Sequence, residues 1–219
     1  FGGNLRFGRD NKLYITIGNN AGDPQQLNNV GGKILRINPD GTIPMDNPFY
    51  DDGNPSTGND DRIWAYGMRN SFDFCFSPVN DSIYATENMG GSPDEINFIR
   101  KGKNYGYPIC TGYCNPYNPL YKDPIDVIPG NGFTNYAPTG IMVYTGALMP
   151  ELTGKLLIIG IGASSEPVLF RGLAKCELGN APYYDTVLSK TVLLDITGTT
   201  LMQGNDGFIY SLRYWTGTS

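Results

Sequence analysis

A chain of 219 residues is long enough to bury a sizeable core in one or two domains. Its formal charge of −5, with 16 basic residues scattered along it, excludes the concentrated basic surface that nucleic acid requires. The nearest thing to a long apolar run, 156–163, is too short to span a bilayer, and no long stretch carries the i, i+3, i+4 spacing of an amphipathic helix. What remains is a turn-rich chain, with 29 Gly and 16 Pro, whose 15 Tyr and 10 Phe suit a β core.

A turn-plus-strand unit recurs. Phe7-Gly-Arg-Asp-Asn-Lys-Leu-Tyr14 turns into a first strand, and Phe76–Tyr84, Leu152–Leu157 and Gly204–Tyr210 repeat the idea. Spacings of about 50 to 70 residues between four such units predict an all-β, antiparallel fold with four blades of a β-propeller, although spacing alone also allows a β-sandwich. Further strands are predicted at 33–38, 63–67, 73–76, 82–86, 96–99, 141–145, 156–161, 168–172, 191–195 and 208–213. Residues 47–61 form a Pro/Gly/Asp/Asn-rich loop. Residues 104–135 form a long loop with few strand signals, and loops of that length are usually functional or partner-facing. Exposed tyrosines in 104–136 suit stacking on carbohydrate or contact with a protein partner.

The stretch from Arg62 to Pro108 gathers the polar groups. Ser77-Pro78-Val79-Asn80-Asp81 joins two strands as a hairpin. Arg69-Asn70 precedes the first strand; Glu87-Asn88-Met89-Gly90-Gly91 and then Asp94-Glu95-Ile96-Asn97 follow the second. Polar groups collected at strand ends are how a β scaffold builds a site. Glu87, Asp94 and Glu95 also suit a simpler role, accepting backbone N–H groups that organise turns. Cys110 and Cys114 sit close together in a Gly/Pro-rich loop. A local disulfide is the expected pairing; a metal site is the alternative, poorly served by Cys-x3-Cys with no His. Cys75 is expected to be buried in a strand, and Cys176 is open between roles.

These motifs resemble the soluble quinoprotein glucose and aldose sugar dehydrogenases, the glucose/sorbosone dehydrogenase family. The family's Y-G-x-R-N-P, E-x-G-P, D-E-I-N and N-Y-G-W-P runs correspond in order to Tyr66–Ser71, Glu87–Gly90, Asp94–Asn97 and Asn104–Pro108. Gly31–Phe49 and Phe1–Gly18 are also typical of it, and the likeness weakens after about Gly162. The resemblance implies a six-bladed propeller, of which 1–219 is a single partial domain of about four blades, the missing blades being N-terminal to Phe1. It also implies an extracytoplasmic location.

The family oxidises aldoses with pyrroloquinoline quinone (PQQ) and calcium. A His acts as general base on the sugar C1 hydroxyl, hydride passes to the quinone, and an Asp steadies the His. The resemblance places that His immediately before Phe1, and the chain contains none. Asn19 stands at the Asp position, able to accept a hydrogen bond but not to stabilise an imidazolium by charge; Asp23 is the nearest substitute. The family's quinone-anchoring Lys corresponds to Gly162, and its two Arg to Thr197 and Thr199. Arg69, beside Asn70, is the remaining basic residue of that set. The backbone carbonyls of Met89 and Gly90 correspond to the calcium ligands, and a second calcium loop corresponds to Thr111, Tyr113 and Asn115.

Three readings follow. The first is a degenerate propeller that has lost PQQ and acts as a binding or structural module, with calcium still possible. The second is an active PQQ- and calcium-dependent aldose dehydrogenase. The third is an unrelated carbohydrate-binding propeller. The departures fall on charged positions that serve chemistry, whereas the retained motifs are mostly Gly, Pro and aromatic residues that serve the fold. That pattern favours the degenerate reading.

Overall fold

The computed structural model describes residues 2–91, 93–129, 136–162 and 172–213. They form three four-stranded antiparallel sheets and one two-stranded sheet, each a meander in chain order. Sheet one holds β1 (Leu5–Phe7), β2 (Leu13–Ile17), β3 (Lys33–Ile37) and β4 (Ile63–Tyr66). Sheet two holds β5 (Ser71–Phe76), β6 (Ile83–Glu87), β7 (Asp94–Ile99) and β8 (Asp126–Ile128). Sheet three holds β9 (Pro138–Val143), β10 (Leu156–Gly160), β11 (Leu173–Gly179) and β12 (Thr186–Leu194), and β13 (Thr200–Gln203) pairs with β14 (Ile209–Leu212). The only helical pieces among the described residues are two short 3-10 turns, Asn19–Ala21 and Pro150–Leu152.

The repeat seen in the sequence has a conformational basis. The turn between the first and second strand of each sheet contains a residue at positive φ two places before the second strand: Asn11, Asp81, Gly154 and Gly207. Asn and Asp tolerate the left-handed region and Gly adopts it freely, which is why N, D and G recur there. A backbone hydrogen bond closes each turn at its base, as in Ser77 N to Ser82 O (2.7 Å) and Gly204 N to Phe208 O (2.9 Å).

Consecutive sheets stack face to face. Tyr14, Ile34 and Ala65 of sheet one meet Phe74, Ile83 and Ala85 of sheet two. Tyr84, Ile96 and Phe98 meet Ile141, Leu156 and Ile158 of sheet three, whose opposite face puts Leu157 and Ile159 against Leu201 of β13. The period-2 alternation of a strand lets β10 feed both interfaces at once. This is an arc of a β-propeller: three complete blades and two strands of a fourth.

Three strand predictions need amendment. The 104–135 loop contains β8, which pairs with β7 through Asp94–Ile128 and Glu95–Val127, and Asn104 bridges to Tyr66. A strand at Leu173–Gly179 is additional, and the predicted strand at 168–172 falls almost wholly outside the described residues. The strand predicted at 191–195 begins earlier, at Thr186. Cys110 and Cys114 form a disulfide, and Cys75 and Cys176 are both buried thiols.

Candidate functional site

In every meander the first strand starts, and the second ends, at the same end of the blades. At that end lie the 18–21 turn after β2, Arg69-Asn70 before β5, the 88–91 turn after β6, Gly160–Gly162 after β10 and Thr197–Thr199 before β13. Hydrogen bonds join them into one rim. Asn19 N donates to Arg69 O (2.7 Å), Arg69 Nη1 to Asn88 O (2.6 Å), and Asn88 Nδ2 to Pro138 O (2.9 Å). Gly162 N donates to Tyr136 O (2.9 Å), Gly198 N to Gly160 O (3.1 Å), and the Thr139 hydroxyl to Gly198 O (2.6 Å).

Buried carboxylates hold the rim. Glu87 Oε1 accepts the N–H groups of Arg69 (2.8 Å) and Asn70, and its Oε2 meets the Ser71 hydroxyl (2.6 Å). Asp94 accepts Met89 N (2.9 Å) on one oxygen and Ala137 N (2.8 Å) on the other, tying sheet two to the entry of sheet three. Glu95 accepts Gly112 N (2.7 Å) and Asn97 Nδ2 (3.0 Å). Burial pushes Glu87 up to about 7; burial and the nearby Glu87 push Glu95 up to about 8. These three carboxylates accept backbone N–H groups, as the turn-organising reading requires.

Two residues carry more of the architecture than the sequence reading gave them. Asp73 accepts Asn4 Nδ2 (2.7 Å) and Arg6 Nη2 (2.9 Å) from sheet one, its own neighbour Phe74 N (2.8 Å), and Ile141 N (3.2 Å) from sheet three. Burial raises its pKa, opposed by Arg6. Lys33, fully buried, donates from Nζ to the carbonyls of Asp23, Pro24 and Gly31, and burial pulls it down to about 8. A charged residue at a core position of a strand is the signal that would have singled out either one.

The predicted site residues distribute as follows. Arg69 and Gly90 are in contact: a Cβ on Gly90 would lie 2.3 Å from Arg69 Nη2, and Gly90 sits at φ +59°. Asn70 Oδ1 accepts Gly2 N (3.0 Å), which brings the Gly2-Gly3 segment to the rim. Asn19 Oδ1 is buried with no hydrogen-bond partner among the described residues. Asp23 is exposed and its carboxylate accepts Gln25 N (2.8 Å). Thr199 Oγ1 donates to Leu212 O (3.3 Å). Thr111, Tyr113 and Asn115 are exposed on the disulfide-closed loop, with Glu95 beneath them at Gly112.

Known proteins share both sequence and shape with this chain. The sequence pattern of the family described as Glucose / Sorbosone dehydrogenase matches residues 1–214. An uncharacterized protein of Synechocystis is 32% identical across 97% of this chain and 53% of its own length. Quinoprotein glucose dehydrogenase B of Acinetobacter calcoaceticus is 32% identical over 70% of this chain and 35% of its own. The crystal structure of the soluble aldose sugar dehydrogenase of Escherichia coli, in its apo form, superposes with a TM-score of 0.75 at 26% identity, covering 96% of this chain and 60% of that one. The chain thus spans about half or less of these curated relatives. With the motifs in order, the blades stacked in sequence and the family pattern running nearly end to end, the chain belongs to the glucose/sorbosone dehydrogenase family.

Proposed function

We propose that this chain is a single partial propeller domain, extracytoplasmic, whose blade end has lost tight PQQ binding and serves as a binding or structural module. The observation that carries the reading is the junction of the third and fourth sheets. There 160–162 and 197–200 pack together through Gly198 and Thr139, and no position in either segment bears a charge. These are the segments in which family members carry a Lys and two Arg. A tricarboxylate must leave water on binding, and hydroxyls donate hydrogen bonds without neutralising its charge. Each lost charge-assisted contact costs ~1.5–3 kcal/mol. The residues present at this junction therefore do not fit the quinone.

Other features support the rest of the reading. The Cys110–Cys114 disulfide suits an oxidising compartment. No helix among the described residues is long and apolar enough to cross a membrane. Tyr113 and Tyr117, exposed on the 104–136 loop, present aromatic faces to carbohydrate or a protein partner. Calcium at the Met89 and Gly90 carbonyls would take most of its roughly six to eight oxygens from elsewhere.

One observation favours the second reading, an active aldose dehydrogenase. The orphan Asn19 Oδ1 is a buried acceptor at the rim, suited to an imidazole N–H. Calorimetric titration of the full-length protein with quinone and calcium, paired with an aldose-driven dye-reduction assay, separates the two. The degenerate reading expects no saturable quinone binding in the micromolar range. Sub-micromolar binding with sugar-dependent reduction overturns it.

A further inference from the structure

We propose that the loop between β3 and β4 is a divalent-cation site, calcium by its chemistry, formed by the carboxylates of Asp51, Asp52 and Asp61. β3 leaves the rim at Lys33 and β4 returns to it at Tyr66, so their connection starts from the other end of the blade. All three carboxylates come from this connection and none from the Met89–Gly90 turn, so the site draws no ligand from the residues matched to the quinone's calcium.

One oxygen from each of the three carboxylates lies within 4.8 Å of one from each of the others. Asp51 and Asp52 are exposed, but Asp61 is fully enclosed. Asp61 Oδ1 accepts Asp51 N (2.5 Å), while Oδ2 is buried with no hydrogen-bond partner. An enclosed carboxylate oxygen without a donor is costly, and two further carboxylates beside it raise that cost. Elsewhere on the same blade the chain supplies a cation: Asp60 pairs with Arg62 at 2.6 Å, and Asp46 with Arg36 at 2.8 Å. Among the described residues no Lys or Arg forms such a pair with Asp51, Asp52 or Asp61. The missing positive charge is what a bound cation would supply.

The loop is built around the three groups. Asp51 Oδ2 accepts Asn59 N (3.0 Å); Asp52 accepts Asn54 N (2.7 Å) on one oxygen and the Thr57 hydroxyl (2.6 Å) on the other. Gly58, at φ +58°, lets the backbone close over Asp51, where a Cβ would come within 2.4 Å of Oδ2. An all-oxygen set with no Cys or His does not suit zinc. Carboxylates on an irregular loop suit calcium, which tolerates varied geometry, better than magnesium, which demands a near-ideal octahedron.

The test uses the full-length protein stripped with a chelator. Calcium is expected to raise its Tm, and Tb3+ in calcium's place is expected to give luminescence sensitised by the adjacent Tyr50 that calcium displaces. An Asp51→Asn, Asp52→Asn double variant alters only exposed side chains and is expected to match or exceed the calcium-free Tm of the wild type while losing both signals. Asp61→Asn keeps an acceptor for Asp51 N and is expected to match or exceed the wild-type Tm without calcium and to fall below it with calcium. A wild type that shows neither signal overturns the proposal. So does a calcium shift that persists in the double variant, which would locate the ion elsewhere.

Discussion

Residues 69–91 and 93–97, on one side, and 160–162 with 197–200, on the other, lie at the same end of the blades and treat charge in opposite ways. The first region buries Asp73, Glu87, Asp94 and Glu95 and answers their oxygens mainly with backbone N–H groups. The second closes its rim with Gly160, Gly162, Gly198 and the Thr199 hydroxyl, joined by the hydroxyl of neighbouring Thr139. Buried charges that hold neighbouring chain segments are tied to the fold, because removing one leaves several donors unpaired. Charges whose partner would be a ligand have no such tie. The contrast teaches that polarity at a blade end must be sorted by what it bonds to before it is read as a site.

Breaking the first region should have the largest effect. Asp73→Ala leaves Asn4 Nδ2, Arg6 Nη2, Phe74 N and Ile141 N short of an acceptor, and is expected to cost roughly 3–5 kcal/mol of stability. Denaturant midpoints measure it; a loss below about 1 kcal/mol would show that the carboxylate does not hold the sheets.

Filling the second region sharpens the comparison from the other side. Gly162→Lys, Thr197→Arg and Thr199→Arg, each tested against quinone by calorimetry, are expected to gain ~1.5–3 kcal/mol per contact, about ten- to hundred-fold in Kd. Unchanged affinity in all three would show that absent charge is not what sets quinone binding at this rim.

The smallest effect, taken per pH unit, is a slope in stability. Glu87 and Glu95 rise from an ordinary 4.5 to about 7 and about 8, chiefly through burial. Between those limits the unfolded chain releases protons that the folded chain keeps, so stability falls as pH rises from 4.5 through 7 to 8. The slope is at most about 1.4 kcal/mol per pH unit for each group. Glu87→Gln and Glu95→Gln should each flatten part of it, and a slope that both variants retain would assign it to other groups.

The fold was readable where the signal was local. The N/D/G turns at positive φ, the strand patterns of β2, β5 and β6 and the apolar run of β10 carry their own punctuation. β8 was not readable: three residues in a Pro-rich loop become a strand only because the edge of β7 accepts them. β11 hid in plain alternation, Ala174, Cys176 and Leu178 against Lys175 and Glu177, masked by its two charges. At the rim, the grouping of Arg69, Asn70, Met89 and Gly90 followed from strand ends, whereas Asn19 came in only through the family resemblance. Asp73 and the unpartnered Asp61 oxygen followed from neither, because a carboxylate's partners lie up to 69 residues away in sequence and burial is not a property of one residue.

Repeat architectures are commonly treated as a row of units, each with its own stability and a separate term for each contact with a neighbour. Asp73 makes that separation fail here. One of its oxygens serves the boundary between the first and second sheets, and the other serves the boundary between the second and third. The two boundaries share a single carboxylate, so loosening one reorients the acceptor on which the other depends. Unfolding of this arc should therefore start with three sheets letting go together, not with one blade peeling from an end.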